Sequence, residues 1–250
     1  MVRLKNAAQI AIMKEAGRIT GEAILTAAEH IREGVSTKFL DTKIREYIEK
    51  CGAKPSFLGY GGFPASACIS INDEVIHGIP SDKRILTEGD IVKIDVGAFY
   101  KGFHGDCART FAVGTVTPEA QKLIDVTTEC FFKAVAEIKP GARVGDIGHA
   151  VQSYAEANGY GVVREYVGHG IGSELHESPE VPNFGREGRG IRLFPGMALA
   201  IEPMINVGTW EVKRLGDGWT VKTKDGSLSA HYENTVIYTD DEVILTTVVS

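Results

Sequence analysis

Four cysteines in 250 residues (Cys51, Cys68, Cys107 and Cys130) include no C-x-x-C pair. That spacing excludes a zinc-finger or thioredoxin-type site. So few thiols in so long a chain fit reduced cysteines in a cytoplasmic protein rather than a disulfide framework. No apolar run reaches the ~18 to 20 residues of a membrane span. Lys14 and Glu15 interrupt the stretch where a signal peptide needs apolar sequence. Positive charge is short as well: 27 Lys and Arg against 33 Asp and Glu give a formal charge of −6, opposite to the basic balance of a nucleic-acid-binding domain. With 43% hydrophobic and 24% charged residues, disorder and coiled coil are excluded too. Low-complexity tracts and Pro/Gly/Ser linkers are missing, so residues 1–250 read as one domain, large enough to bury its own core. Glycine is what the chain has in excess, with 29 residues against an average of ~7%. That predicts many turns and close backbone approaches.

Four helices can be placed from their caps. Asn6 and Gln9 form a capping box ahead of the stripe Ile10, Met13, Ile19, Ile24. A second helix starts near Ser36 or Thr37, carries Leu40, Ile44 and Ile48, and stops at Gly52. Thr117 caps a third with Pro118 at its first position, and a fourth runs from about Gly145 to Asn158, closed by Gly159. Strand-like runs lie between and after them, among them KIDVGAFY, GMALAIEPMI and HYENTVIY, so the class is α+β. A shift of 107 residues superposes Gly34 on Gly141, Tyr47 on Tyr154 and Gly52 on Gly159, and also Gly89 on Gly196 and Asp95 on Glu202. One offset held across helix and strand predicts two halves, roughly 6–115 and 116–250, related by an approximate two-fold. A shift of 99 sets His77 on His176.

Acids in strands carry the chemistry. Asp95 interrupts the apolar run IVKIDVG, where an uncompensated carboxylate is costly. Asp106 follows across a turn marked by Lys101-Gly102. A hairpin centred near Tyr100 and Lys101 sets the two acids directly opposite, with Cβ atoms ~4.5–5.5 Å apart. Such a pair shares a cation or raises its own pKa; a salt bridge to Arg109 or Lys93 is the alternative. Glu202 ends the run ALAI, and Glu233 sits in HYENTVIY. His169 and His176 stand seven apart in GHGIGSELH, not the spacing of an HExxH zinc helix. No P-loop lysine accompanies the nearby glycines, and no G-x-S-x-G elbow exists. Four carboxylates and one imidazole form a hard, sulfur-free set suited to Mn, Fe, Co or Zn in a two-ion site.

The runs KIDVGAFYKGFHGDCARTF, YVGHGIGSELHESPEVP, GMALAIEPM and DGSLSAHYENT resemble those of type I methionine aminopeptidases, peptidase family M24, in the short bacterial form. The resemblance spans the first helix to the last strand. It implies the pita-bread fold, with helices packed on a curved antiparallel sheet around a dimetal centre. It implies ligation by Asp95, Asp106, His169, Glu202 and Glu233, and catalytic support from His77 and His176. It places Phe57, Tyr60, Phe63, Cys68 and Trp219 around a methionine side chain, and sets Asn72 and Ser229 beside a monovalent cation. The implied reaction removes the initiator methionine from nascent polypeptides whose second residue is small. A hydroxide bridging the metals attacks, Glu202 shuttles the proton, and His176 bonds the tetrahedral oxygen. A cytoplasmic monomer with transient ribosome contact, and with no nucleic-acid or membrane partner, goes with that reading.

Asn234, His231, Phe57 and Leu175 depart from residues common in the family, where His, Gln, Cys and Phe are frequent. These changes bear on metal affinity and pocket shape. Two rivals share the fold. The X-Pro aminopeptidases and prolidases generally carry an N-terminal domain that this chain has no room for. Non-enzymatic relatives have lost ligands that are all present here.

Overall fold

Helix starts follow the caps that the sequence marks. The computed structural model describes residues 2–249. In α1 (Ala7–Ala28) the Asn6 side chain accepts from Gln9 N, and the Gln9 side chain accepts from Asn6 N, both at 3.0 Å. Ser36 caps α2 (Thr37–Lys50) and Thr117 caps α3 (Pro118–Ala136), each through its hydroxyl. The fourth helix, α4 (Val144–Ala157), starts one residue earlier than the sequence suggests, because Asp146 turns back to accept from Arg143 N at 2.7 Å. Gly52 and Gly159 follow α2 and α4 with φ of 72° and 84°, a conformation that glycine adopts without strain. None of these helices is long and apolar enough to cross a membrane.

The internal repeat is built into the backbone. Helices α2 and α4 both start and end 107 residues apart, at Thr37 and Val144 and at Lys50 and Ala157. Ser36 bridges Ile85, and Arg143 bridges Arg192 at the same offset. In each half a helix pair covers one face of a nine-stranded sheet whose pairings are all antiparallel. Ile19, Ile24, Leu40, Ile44 and Ile48 pack on Val92, Ile94 and Val96 in the first half. Leu123, Phe131, Ile147 and Val151 join Leu199, Ile201 and Val236 in the second. Each fully buried side chain of this size stabilises by ~1.5–3 kcal/mol, so alternate strand residues are committed to the helix side. The residues between them face the other way.

The central hairpin corrects one expectation. Strands Ile91–Tyr100 and Phe103–Ala112 pair Tyr100 with Phe103, so the turn is Lys101-Gly102. Both turn residues have positive φ, 45° and 92°, the two-residue turn whose twist suits a hairpin. Its register pairs Asp95 with Ala108 and Asp106 with Gly97. The acids are thus diagonal neighbours rather than directly opposed. An offset of two residues keeps them on one face.

Candidate metal centre

Five adjacent strands of the sheet bring one expected ligand each. In spatial order they are Ile91–Tyr100 with Asp95, Phe103–Ala112 with Asp106, Glu233–Tyr238 with Glu233, Ala198–Ile201 with Glu202 just beyond its end, and Gly168–Gly170 with His169. Ala108 pairs with Asp95 on one side and Glu233 on the other, while Ala200 pairs with His169. Small residues between the donors leave the space above the sheet open. Glycines flank His169 because the strands press together there: a Cβ on Gly168 would meet Ala200 O at 2.4 Å, and one on Gly170 would meet Ser178 O at 2.4 Å. The Gly-x-Gly pattern is therefore packing, not phosphate binding.

The donor atoms converge. His169 donates from Nδ1 to Gly170 O at 2.9 Å, which leaves Nε2 as the free acceptor. That nitrogen lies 3.8 Å from Asp106 Oδ2 and 3.6 Å from Glu202 Oε1. Asp106, His169 and Glu233 can offer one ligand atom each within 4.8 Å of one another, and so can Asp95, His231 and Glu233. Asp106, Glu233 and His169 are buried. Asp95 Oδ1, Asp106 Oδ1 and Glu233 Oε1 are buried without a hydrogen-bond partner among the described residues.

Neither alternative cation serves these acids. Lys93 Nζ donates to Asn72 O and Ser229 O, and Arg109 donates to the carbonyls of Ala108 and Glu233 and to Asn234 Oδ1. Burial pushes the Asp95 carboxyl up to about 8. Burial, reinforced by the neighbouring acids, also holds Asp106, Glu202 and Glu233 well above the usual range. Orphaned buried oxygens that repel one another beside free imidazole nitrogens fit divalent ions, which replace the missing positive charge.

An apolar recess adjoins the acids. A cavity of about 210 Å³ is lined by all five expected ligands and by His77, His176, Phe57, Tyr60, Gly61, Phe63, Cys68, Leu175 and Trp219. Trp219 meets Phe63 edge-on with ring centres 5.1 Å apart. Gly97 lets the Phe57 segment approach, since a Cβ there would lie 2.8 Å from Ser56 Cβ and 3.0 Å from the Phe57 ring. His77 sits at φ 59°, a conformation that costs a non-glycine residue strain and recurs at functional sites. His176 meets His169 edge-on with ring centres 4.2 Å apart, and its Nδ1 accepts a 2.6 Å hydrogen bond from the Tyr60 hydroxyl.

Other sequence features resolve differently. Between Asn72 and Ser229, where the resemblance sets a monovalent cation, the structure has the Lys93 ammonium, 2.7 and 2.9 Å from their carbonyl oxygens. Asn234 turns away from the acids to accept from Arg109 and from the Thr247 hydroxyl. Cys107 packs in the helix-side core, as alternation requires. His30 rests edge-on against Phe39, and His149 is paired loosely with Ser153. His104 binds Ser56 Oγ at 2.9 Å. Two functional contacts escape sequence reasoning. The Tyr60–His176 bond joins residues 116 apart and has no local signal. His231 carries one: it precedes Glu233 by two residues, the spacing that puts two strand side chains on one face.

Comparison with known proteins gives this geometry a family. The model of metallopeptidase family M24 matches residues 11–240. A methionine aminopeptidase of Clostridium acetobutylicum is 56% identical over 241 residues, covering 96% of each chain. The crystal structure of methionine aminopeptidase from Thermotoga maritima superposes with a TM-score of 0.97 at 43% identity, covering 99% of both chains. A prolidase from Pyrococcus furiosus is more distant, with a TM-score of 0.79 at 26% identity, covering 99% of this chain and 66% of its own. The architecture is accordingly the pita-bread fold, and divalent-metal use belongs to its chemistry. The chain is a member of metallopeptidase family M24.

Proposed function

We propose that this protein is a methionine aminopeptidase, which hydrolyses the peptide bond after an N-terminal methionine. The observation that carries the reading is one cavity that joins five metal donors, three of them buried, with two further histidines and an apolar recess. Asp95, Asp106, His169, Glu202 and Glu233 would hold two divalent ions, drawn from Co, Mn, Fe and Zn. Such ions supply Lewis acidity, which acidifies water and polarises a carbonyl.

The chain's own groups do the rest. Glu202, which lines the cavity beside the other donors, accepts a proton from attacking water and returns it to the leaving amine. The Tyr60 hydroxyl donates to His176 Nδ1, so Nε2–H is available to the tetrahedral oxygen. Burial lowers His77 to about 4, so a neutral imidazole meets the nitrogen side of the scissile bond. Phe57, Tyr60, Phe63, Cys68 and Trp219 bury the methionine side chain, gaining ~0.8 kcal/mol per CH₂, and Cys68 sulfur suits a thioether. The substrates are nascent chains with a small second residue, met in the cytoplasm as they leave the ribosome. The free thiols of Cys51, Cys68, Cys107 and Cys130 accord with a reducing compartment.

A panel of Met-Ala-Ser, Met-Lys and Ala-Pro peptides tests this. Met-Ala-Ser should be cleaved, chelation should abolish the activity, and Mn or Co should restore it. Preferential cleavage of Ala-Pro would make the protein a prolidase-type enzyme. Inertness of the folded, metal-loaded protein toward all three would make it a binding module.

A further inference from the structure

Five ligands divide unevenly between two ions, with a single imidazole among them. The structure supplies a second. His231 ends the Ser229–His231 strand, where it pairs with Met204, and its backbone N–H and C=O both bond the Thr110 hydroxyl, at 2.9 and 2.8 Å. The residue is 1% exposed. Both ring nitrogens are buried without a hydrogen-bond partner among the described residues, a rare state for an imidazole in a folded core. Its Nε2 lies 3.8 Å from Glu202 Oε2 and 3.8 Å from Glu233 Oε2. Those separations exceed a hydrogen bond. They do suit two donors around a common ion with bonds of ~2.0–2.2 Å.

The donor groups then form two triads that share Glu233: Asp106 and His169 with it on one side, Asp95 and His231 on the other. Backbone pairing places the second imidazole as firmly as the first, since His169 is held by strands on both sides and His231 by Met204 and Thr110. Resting on the metal-dependent reading of this site, we propose that His231 is a sixth protein ligand, binding through Nε2 the ion that Asp95 and Glu233 also hold. Each ion carries one imidazole. The added nitrogen moves the Asp95 side from an all-carboxylate set, which favours Mn, toward the imidazole-containing sets favoured by Zn, Fe and Co.

Cobalt-loaded protein decides the matter, because imidazole N–H protons on a Co(II)-bound histidine give hyperfine-shifted proton resonances. Wild type at two equivalents of Co(II) should show two such exchangeable signals, one from His169 and one from His231. His231→Gln should keep one, and calorimetry should show its second Co(II) bound at least ~10-fold more weakly, with the first unchanged. A single shifted imidazole signal in fully loaded wild type would overturn the proposal, and that result needs no variant to fold. Equal second-site affinity in wild type and in folded His231→Gln would also overturn it. Failure of wild type to bind cobalt at all would instead remove the metal reading of the whole site, and this proposal with it.

Discussion

Chelating the divalent ions leaves four carboxylates facing one another at the centre of the sheet, and the consequence should be read in stability against pH. Burial pushes Asp95 from 3.8 to about 8. The charge of Asp95 adds to the upward shifts of Asp106, Glu202 and Glu233. An acid raised in the fold keeps a proton that the unfolded chain has already released. Stability therefore falls as pH climbs from the unfolded value toward the folded one. Below about pH 6.5 the buried histidines oppose this, since burial lowers His77 to about 4 and His169 and His231 to about 3. The unfolded chain protonates them first. Above their ordinary value of 6.5 they are neutral in both states, and the acids are then opposed by Lys93, which burial lowers to about 7, so that the unfolded chain keeps a proton the fold has released.

Metal-free wild type compared with metal-free Asp95→Asn cancels the histidines and Lys93. Asp95 remains largely protonated in the fold through most of the interval from pH 6.5 to 8. Wild type should therefore lose on the order of 2 kcal/mol relative to the variant across that interval, at ~1.4 kcal/mol per proton and pH unit. For a chain of this size the loss corresponds to about 4–8 °C in Tm. The assay is thermal unfolding in chelator at both pH values, with variant minus wild-type Tm as the readout. The difference should widen at the higher pH, and saturating Mn should reverse its sign, because Asp95→Asn lacks a ligand. A difference that stays constant or narrows with pH would refute the idea that burial of unpaired charge governs this centre.

Legibility in the sequence followed the range of the interactions. Caps at Asn6, Ser36 and Thr117 are decided within four residues, so they could be read directly, and the structure has them. The 107-residue repeat was legible because both halves need the same helix, turn and strand geometry, and Ser36–Ile85 and Arg143–Arg192 repeat it to the residue. The turn at Lys101-Gly102 was legible from its glycine, but centring the hairpin one residue too early, near Tyr100 and Lys101, misplaced the register of the acids by two residues. The acids stood out because each breaks an apolar strand, an expense that packing alone does not justify. Lys93 shares a face with Asp95 by alternation, so a salt bridge was a fair alternative. What defeats it is the distant Ser229 carbonyl, which captures the ammonium. The Tyr60–His176 bond was invisible because it joins residues 116 apart, whereas His231 carried a signal in its spacing of two from Glu233.

Three further substitutions separate ligation, catalysis and electrostatic support. His176→Ala should retain its divalent metal and lose ~100-fold or more in kcat with little change in KM, as for loss of an oxyanion donor. His169→Ala should lose metal occupancy along with activity; metal analysis beside kinetics on Met-Ala-Ser checks both, and the reverse pattern would exchange their roles. Lys93 supplies the last test, since its ammonium bonds the carbonyls of Asn72 and Ser229 where an ion would otherwise be needed. Wild type should therefore melt at one temperature in sodium, potassium or choline chloride of equal strength. Lys93→Ala leaves two buried carbonyls without their charged donor, a loss on the order of 3 kcal/mol, and sodium or potassium should restore part of it while choline does not. Equal melting of that variant in all three salts would mean that the two carbonyls need no cation, and that Lys93 is held there by packing alone.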